Sequence, residues 1–549
     1  MTQNSSDDSK PSTIDNANSG LIGRIVENWL TSATERGYQL AFCQMLAAEG
    51  EELLYIASHG PFEKGKDVIT RAPDGGIRAY QLKSGDIRLA DWREIDGQIN
   101  NLVELPINIP QCPAGLSHMS FFVTSGRVDD VVLDYINTGN LGWRERRFLH
   151  GLAVIEKSQL VHRFVSVHGT FLPQEAKDFQ LLLTLLLSDG ASPLDKPSFS
   201  RFLLSVIRFE DSATHRNVSR SLSSAVLLTS YILGPATKCN NHWRQFEAWI
   251  VTASHILAAA TKFVLSDELW KPSFDLSMMA AQRALDDLVD ECKQRQQFIE
   301  GQAMVDGFFY GSRQLILSGL LSAWTLARRR SNQDPDVHVQ RLVMARLKES
   351  FIWGESAAPF VLLTAFELEQ QCMQPLAEEF VINYLRILLM FHGEGMRGLP
   401  DSFISTEDSV RFMHQIGEQD VDSFQGFSYS CQPMIDFLVR RWRRQALARL
   451  WDAITRLSLE SSVPQFLWEW FIWKSDSAVA DSCIPGQPQS WSALLQAATD
   501  RDISGLPALL VKYPVFTMFW LLVFPHRLTP ATLALVDRSI SRSTFSMSE

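Results

Sequence analysis

Three polar residues around one turn have the types and spacing that could do chemistry: Asp67, Gln81 and Lys83. The turn signal Pro73-Asp74-Gly75-Gly76 lies between two stretches of alternating apolar and polar residues, which is the pattern of a β-hairpin. If the turn is centred near Asp74, facing residues have numbers that add to 148, so Asp67 faces Gln81. Side chains alternate with period two, so Lys83 shares that side, although a bulge would shift the register by one residue. A carboxylate, an amide oxygen and an ammonium group could together bind a hard divalent cation and a phosphate.

The elements that must position these residues come in a definite order along the chain. About residues 35–130 resemble the PD-(D/E)xK nuclease superfamily, in particular its Mrr-like restriction-endonuclease branch, in which Gln often replaces the second acid. An Asp followed at some distance by Gln-x-Lys is common by chance, so the resemblance depends on the ordered set. That set is a helix at Glu35–Leu46, a strand at Glu52–Ile56, the segment His59–Asp67, the Gln81–Lys83 strand, a polar helix at Trp92–Leu102 and a buried strand ending at Ser125-Gly126.

The resemblance implies a catalytic role for Asp67, Gln81 and Lys83. Asp67 would hold Mg²⁺ or Mn²⁺, since such cations prefer oxygen ligands; the alternative is an exposed strand acid. Lys83 would lie near the scissile phosphate, where it could stabilise developing negative charge or help to deprotonate the attacking water. Its alternative is a solvated strand lysine.

The amide of Gln81 can ligate a cation but brings no charge, so another acid would have to compensate. Glu63, four residues before Asp67, is the candidate for that role as a metal ligand. The alternative for Glu63 is a loop acid paired with Lys64 or Lys66.

Two helices supply the remaining candidates. Tyr38-Gln39 occupies the place where related sequences often carry an aromatic residue followed by Glu, and Glu35 lies one turn earlier. Positions four apart share a helix face, so either Glu35, as a metal ligand, or Gln39, as a substrate-binding residue, could face the hairpin. Gln98 resembles a substrate- or metal-orienting glutamine, with an ordinary solvated Gln as the alternative.

The composition of the chain excludes several classes of protein. With a formal net charge of −11, the chain has no overall attraction to nucleic acid, so any such binding must be local. Seven scattered cysteines without a CxxC pair predict a reducing compartment and give no zinc-site spacing. The most apolar run, 515–524, is shorter than the about 20 residues that cross a bilayer and predicts a buried helix. We therefore expect a cytoplasmic protein without a membrane partner.

The pattern along the 549 residues predicts several domains. We expect a disordered arm at 1–19, an α/β domain at 20–172 with a central mixed sheet flanked by helices, an all-α region at 173–540 in one or two lobes, and a tail at 541–549. Helices are predicted in the all-α region at His242–Leu265, Gly307–Arg330, Glu378–Phe391 and Tyr429–Ser458, with breaks at prolines that include Pro272.

The cluster Arg440-Arg441-Trp442-Arg443-Arg444 has two interpretations. It could follow a phosphate backbone, because it combines guanidinium groups with an aromatic ring. The helical pattern favours a solvated helix face with Trp442 in the core.

These observations predict a Mg²⁺-dependent DNA endonuclease joined to a large helical region. The resemblance implies DNA as the substrate and a role in prokaryotic defence against foreign DNA. The helical region would sense a trigger, bind a protein partner or drive self-association, and so regulate cleavage. The alternative is a non-enzymatic interaction scaffold with a degenerate nuclease fold, which Gln81 and Gln39 in the places of acids support.

Overall fold

The chain forms two compact units. The first contains Met1–Ala248 and Ser266–Ser277, and the second contains Trp249–Leu265 and Met278–Glu549. The computed structural model describes residues 23–545 except 25, 32, 58–64, 108, 110–116, 147, 149–150, 169–175, 210–214, 296–306, 348–349, 395, 415–424, 475–478 and 484–489. The arm predicted at 1–19 lies outside the described residues.

A mixed five-stranded sheet is the centre of the first unit, as the sequence predicts. Its strands are β1 (Glu52–Ile56), β2 (Val68–Arg71), β3 (Ile77–Lys83), β4 (His118–Thr124) and β5 (Leu152–Ile155), in that spatial order. The pairs β1–β2 and β2–β3 are antiparallel, whereas β3–β4 and β4–β5 are parallel. The flanking helices are α1 (Glu35–Ala48), α2 (Leu89–Glu104), α3 (Asp130–Glu145) and α4 (Lys157–His168). Helices α2 and α3 are the crossovers that parallel strands require.

Helices cover both faces of the central strands. On one face, Ala79 and Phe122 belong to the same buried cluster as Trp92 of α2 and Val132 of α3. On the other face, Tyr80 meets Phe42 of α1 edge to face, with ring centroids 5.3 Å apart. Strands covered on both faces are apolar along most of their length, and this is why β3 and β4 lack a polar face at their centres.

The β2–β3 hairpin has the predicted register. Val68 pairs with Tyr80 and Ile69 with Ala79, which leaves Asp67 level with Gln81. In the turn, the Asp74 side chain accepts a hydrogen bond from the Gly76 N–H at 2.9 Å. The irregularity in this part of the sheet lies between β1 and β2, so it does not change the register of the hairpin.

Further helices complete the first unit beyond residue 172. They are α5 (Ala176–Leu186), α6 (Lys196–Ile207), α7 (His215–Ile232) and α8 (Gly234–Lys238), and α9 (His242–Lys262) and α10 (Asp267–Gln294) contribute residues to both units. Helix α1 packs against α7. Tyr231 of α7 also packs against Trp29, with ring centroids 4.2 Å apart. Pro272, which we expect to separate helices, lies in the second turn of α10, where its ring removes one backbone hydrogen bond.

The second unit is mostly helical. Its helices are α11 (Gly307–Arg330), α12 (Val337–Leu347), α13 (Ala358–Gln370), α14 (Gln374–Phe391), α15 (Thr406–Met413), α16 (Cys431–Arg440), α17 (Arg444–Ile454), α18 (Trp491–Thr499), α19 (Ala508–Lys512), α20 (Pro514–Val523) and α21 (Pro530–Phe545). The apolar run forms α20, which is buried from Phe516 to Val523, as predicted. No described helix combines the length and hydropathy needed to cross a membrane.

The expectation of an all-α region is wrong in one place. Strands β6 (Phe427–Ser428), β7 (Ser458–Val463) and β8 (Val479–Cys483) form a small mixed sheet. β7 pairs parallel with β6 and antiparallel with β8. Such pairing joins segments far apart in the sequence, and local periodicity does not show it.

The helix predicted at Tyr429–Ser458 is also wrong, because this segment forms α16 and α17. The two helices meet at Trp442, which has a positive φ of 61°. The N–H groups of Arg441 and Arg443 both bond to the carbonyl of Leu438, which closes the end of α16. Trp442 is 67% exposed, so its predicted place in the core is wrong as well.

Candidate active site at the β2–β3 hairpin

Asp67 and Gln81 form a buried hydrogen-bonded pair. Asp67 immediately precedes β2 and is 6% exposed, and Gln81 lies in β3 and is 3% exposed. The Gln81 Nε2 group donates to Asp67 Oδ2 at 2.8 Å, and the Leu82 N–H donates to the same oxygen at 2.6 Å. The structure therefore brings together the two residues that the register places opposite each other.

The other end of the Gln81 amide has no hydrogen-bond partner. Its Oε1 atom is buried and accepts no hydrogen bond from any described residue. Its orientation is fixed by chemistry, because exchanging the two amide atoms would point an oxygen at the Asp67 carboxylate. Buried acceptors in proteins nearly always have a partner. The Gln81 Oε1 atom is thus free to accept from a donor on a bound molecule or to ligate a cation.

Lys83 forms an ion pair with Glu35. Their Nζ and Oε2 atoms lie 3.2 Å apart, and the two side chains are 20% and 31% exposed. Glu35 is the first residue of α1, so this pair joins the start of the helix to the end of β3. The structure therefore places Glu35 at the ammonium group of Lys83.

Tyr38 holds the same junction from the inside. Its hydroxyl donates to the backbone carbonyl of Lys83 at 2.7 Å. Burial raises the pKa of Tyr38 well above its ordinary value, and the carboxylates of Glu35 and Asp67 raise this pKa further. The hydroxyl consequently remains a donor and fixes the backbone at Lys83.

The two glutamines predicted on helices have different surroundings. Gln39 is buried, and its Nε2 group donates to the backbone carbonyl of Asp67 at 3.4 Å. Gln98 is exposed on α2, and its side chain has no hydrogen bond within the described part of the chain. Gln39 therefore contacts the site through the backbone. Glu63 and His59 fall in residues 58–64, outside the described residues, so the metal role of Glu63 stays a prediction.

Several side chains that position the site were not predicted. Lys66 is only 3% exposed, and its Nζ atom donates to the Asn101 carbonyl of α2 at 3.0 Å. After β3, the Ser125 hydroxyl accepts from the Gly85 N–H at 3.1 Å, and Thr124 Oγ1 donates to the Gly85 carbonyl at 2.6 Å. Thr124 pairs with Lys83 in the parallel register, so the loop after Lys83 is fastened to β4. In the sequence, only the polar pair Thr124-Ser125 at the end of a buried strand indicates this contact with the loop at Gly85.

Another buried carboxylate, that of Glu51, lies just before β1 and is bonded to side chains of the hairpin. Glu51 is 5% exposed and accepts hydrogen bonds from Tyr80 at 2.9 Å, from Arg78 at 2.6 Å and from Thr70. One guanidinium group and two hydroxyl groups of the hairpin therefore bind this carboxylate. Glu51 fits a structural role better than a ligand-binding one.

Asp67 and Gln81 carry oxygen atoms of the types that bind hard cations. Asp67 supplies a carboxylate and Gln81 supplies the unsatisfied Oε1 atom, which are the ligand types that Mg²⁺ prefers alongside water. In the ranges that the structure describes, no three His, Cys, Asp or Glu side chains are grouped so that they could hold a metal ion. Comparisons with protein-family models, curated proteins and solved structures found no match for this chain.

Proposed function

We propose that the N-terminal α/β part of this protein is a Mg²⁺- or Mn²⁺-dependent DNA endonuclease of the PD-(D/E)xK type. One observation carries the proposal: Gln81 is bonded through Nε2 to the buried Asp67 carboxylate, and its buried Oε1 atom has no hydrogen-bond partner among the described residues. Lys83 lies two residues further along the same strand, on the same side as Gln81. The choice of DNA as substrate comes from the family resemblance.

Each residue has a distinct task in this proposal. Asp67 and Gln81 would hold the cation, which when bound would supply positive charge at the phosphate and lower the pKa of a water. Lys83 stabilises the negative charge that develops on the phosphate oxygens during in-line attack. Because Lys83 is paired with Glu35 at rest, a DNA phosphate must compete with that carboxylate for the ammonium group.

The resemblance extends the proposal to a role in prokaryotic defence against foreign DNA. In this view the helical second unit regulates cleavage, through a protein partner, a trigger or self-association. A nuclease that acts on foreign DNA must be restrained in the absence of its target, because it would otherwise cut the DNA of its own cell.

Cleavage of supercoiled plasmid by the full-length protein tests the proposal. We expect nicking with Mg²⁺, none with EDTA, and a loss of about 100-fold or more in Asp67→Asn and Lys83→Ala. Both variants should fold, because Asn can still accept from the Leu82 N–H and the partly exposed Lys83–Glu35 pair contributes about 1 kcal/mol or less.

Arg71→Ala is the matched control. Arg71 lies on the same hairpin, and its side chain forms an exposed ion pair with Glu52 of β1. This control should cleave at the wild-type rate. If Asp67→Asn or Lys83→Ala keeps more than about a tenth of the wild-type rate at an unchanged melting temperature, the site is assigned to the wrong residues.

A second candidate function is a non-enzymatic scaffold. It is favoured by the two hydrogen bonds that Asp67 Oδ2 already accepts, and by the absence of a three-ligand acidic group among the described residues. A scaffold predicts no metal-dependent nicking and no rise in melting temperature with Mg²⁺. The same plasmid and melting experiments therefore decide between the two functions.

A further inference from the structure

The turn between α16 and α17 exposes a large aromatic side chain. Trp442 is 67% exposed and has no hydrogen bond, aromatic contact or cation contact from its side chain in the described part of the chain. A single exposed apolar residue is ordinary. What sets this one apart is the set of arginines around it.

The two arginines before Trp442 point inward and hold the turn in place. Arg440 pairs with Asp537 at 2.9 Å and donates to the Ala498 carbonyl at 2.9 Å. Arg441 donates to Glu369 at 2.6 Å, and its guanidinium lies 3.5 Å from the ring centroid of Phe437. The exposed indole is therefore carried by a firmly anchored backbone.

The arginines after Trp442 point outward. Arg443 pairs with Glu378 but remains 44% exposed. Arg444, the first residue of α17, is exposed and has no ion pair or side-chain hydrogen bond within the described residues. We call the surface formed by the consecutive residues Trp442, Arg443 and Arg444 the Trp442 corner. It joins one aromatic side chain to two guanidinium groups.

The neighbouring helical hairpin shows which part of this arrangement is special. The turn between α13 and α14 has the same hydrogen bonds, and Cys372 has a positive φ of 60° where Trp442 has 61°. Met373 and Gln374 stand there in the places of Arg443 and Arg444. The strained backbone is thus a property of both turns, and only the side chains distinguish the Trp442 corner.

We propose that the Trp442 corner binds single-stranded DNA, with a base stacked on the indole and phosphates contacted by the guanidinium groups. An aromatic face stacks on an unpaired base, whereas a duplex keeps its bases stacked on each other. One indole is too small an apolar surface to anchor the chain on a bilayer, which needs a wide apolar helix face. The choice of DNA over RNA rests on the proposed function.

Fluorescence anisotropy of a labelled 20-nucleotide dT strand, with full-length protein in EDTA, tests this proposal. Trp442→Ala should weaken binding about 5- to 100-fold, and Trp442→Phe should restore most of it, because phenylalanine also stacks. Arg444→Gln should lower the slope of log affinity against log salt by about 0.7. Cys372→Ala and Met373→Ala, at the equivalent turn, should bind as the wild type does.

Each of the following outcomes would overturn the proposal. Wild-type affinity in a folded Trp442→Ala variant, or an equal loss in Cys372→Ala, removes the Trp442 corner as the site. Tighter binding of a 20-nucleotide rU strand than of dT overturns the choice of DNA. Loss of binding to phosphatidylserine vesicles in Trp442→Ala, with dT binding intact, assigns the corner to membranes. The binding assay contains EDTA, so its result does not depend on the proposed cation site. If the nuclease proposal fails and this one holds, dT binding is as expected and the failure is seen only in the plasmid experiment.

Discussion

At the scale of single residues, the neighbour of a buried amide decides what that amide can do. Gln81 and Gln44 are both buried, and in both the Oε1 atom has no hydrogen-bond partner in the part of the chain that the structure describes. Only Gln81 lies beside a carboxylate to which it is bonded, that of Asp67. An oxygen without a partner therefore has no evident use at Gln44, whereas at Gln81 it forms half of the proposed cation site.

Gln81→Glu should raise the affinity of the proposed cation site and lower the stability of the cation-free protein. It would place two carboxylates where the Gln81 and Asp67 side chains now lie 2.8 Å apart, so their repulsion raises the folded-state pKa of the pair. A raised folded-state pKa means that stability is present at low pH and is lost as pH rises through it. We expect a melting temperature in EDTA that is below wild type at pH 8 and recovers toward pH 5. Mg²⁺ should raise the melting temperature of Gln81→Glu more than that of the wild type. The variant should also reach half-maximal cleavage at a lower Mg²⁺ concentration than the wild type.

Gln44→Glu is the control for this prediction. Its new carboxylate would also be buried, so we expect the same loss of stability at pH 8. Mg²⁺ should give no recovery there, because no second carboxylate is bonded to this position. Equal recovery of both variants by Mg²⁺ would show that the cation acts elsewhere. Loss of cleavage in a folded Gln81→Glu protein would mean that the amide donates a hydrogen bond that catalysis needs.

At the scale of elements, the position of Asp67 depends on how closely α2 approaches the start of β2. Gly65 has a positive φ of 75°, and a Cβ atom there would lie well under 3.0 Å from the backbone carbonyl oxygen of Gln98 in α2. Lys66 bonds to the Asn101 carbonyl of the same helix at 3.0 Å. These two contacts hold the segment before Asp67 on α2, and Gln81 then fixes the carboxylate from β3.

Gly65→Ala should destabilise the first unit more than Gly75→Ala does. Both glycines have positive φ, 75° and 84°, but nothing lies within 4 Å of a Cβ atom at Gly75. Gly75→Ala should cost about 1 kcal/mol of the free energy of unfolding, from its backbone conformation alone. Gly65→Ala should cost about 1–3 kcal/mol more, because the α2 backbone must move. Urea unfolding measures both.

Plasmid cleavage by the two glycine variants checks the connection to the site. Gly65→Ala should lose activity under conditions where it remains folded, since a shift of the segment moves Asp67. Equal stability and equal cleavage in the two variants would show that the approach of α2 does not position Asp67.

At the scale of the whole molecule, the proposed nuclease forms part of a larger compact unit. The first unit extends beyond residue 172, and α1, which carries Glu35 and Tyr38, packs against α7. A fragment that ends near Pro173 would remove this packing and expose apolar residues such as Trp29. A fragment that ends at Asn241 keeps α7 and α8 and lacks only residues 242–248 and 266–277 of the first unit, so it suits a test of regulation better.

We expect the fragment 1–241 to cleave DNA faster than the untriggered full-length protein. The net charge of −11 disfavours indiscriminate binding to DNA, and the helical second unit is proposed to restrain cleavage. Initial rates of plasmid nicking, at equal protein concentration and salt, measure the difference. Circular dichroism and the Asp67→Asn form of the fragment serve as controls for folding and for contaminating nuclease.

A folded fragment that cleaves at the same rate as the full-length protein, or more slowly, would contradict restraint. A slower fragment would instead indicate that residues after 241 help to bind the substrate. That result would agree with a DNA-binding surface at the Trp442 corner.

The sequence by itself determined the features that depend on neighbouring residues. Alternation around a Pro-Asp-Gly-Gly turn fixed the register that sets Asp67 against Gln81, because turn chemistry and strand period are both local. Apolar spacing over 24 residues predicted α11 at Gly307–Arg330, since a helix is bonded within itself.

Only the tertiary structure decided the contacts between distant segments. Glu35 and Lys83 are 48 residues apart, and nothing in the local pattern pairs them. Strand β7 has its partners in β6 and β8, so its hydrogen bonds could not be foreseen from its own residues. Trp442 faces outward because Arg440 and Arg441 find carboxylates on other helices and hold the turn between them. Burial and ion pairing depend on which surfaces meet, and this is set by packing across the whole unit.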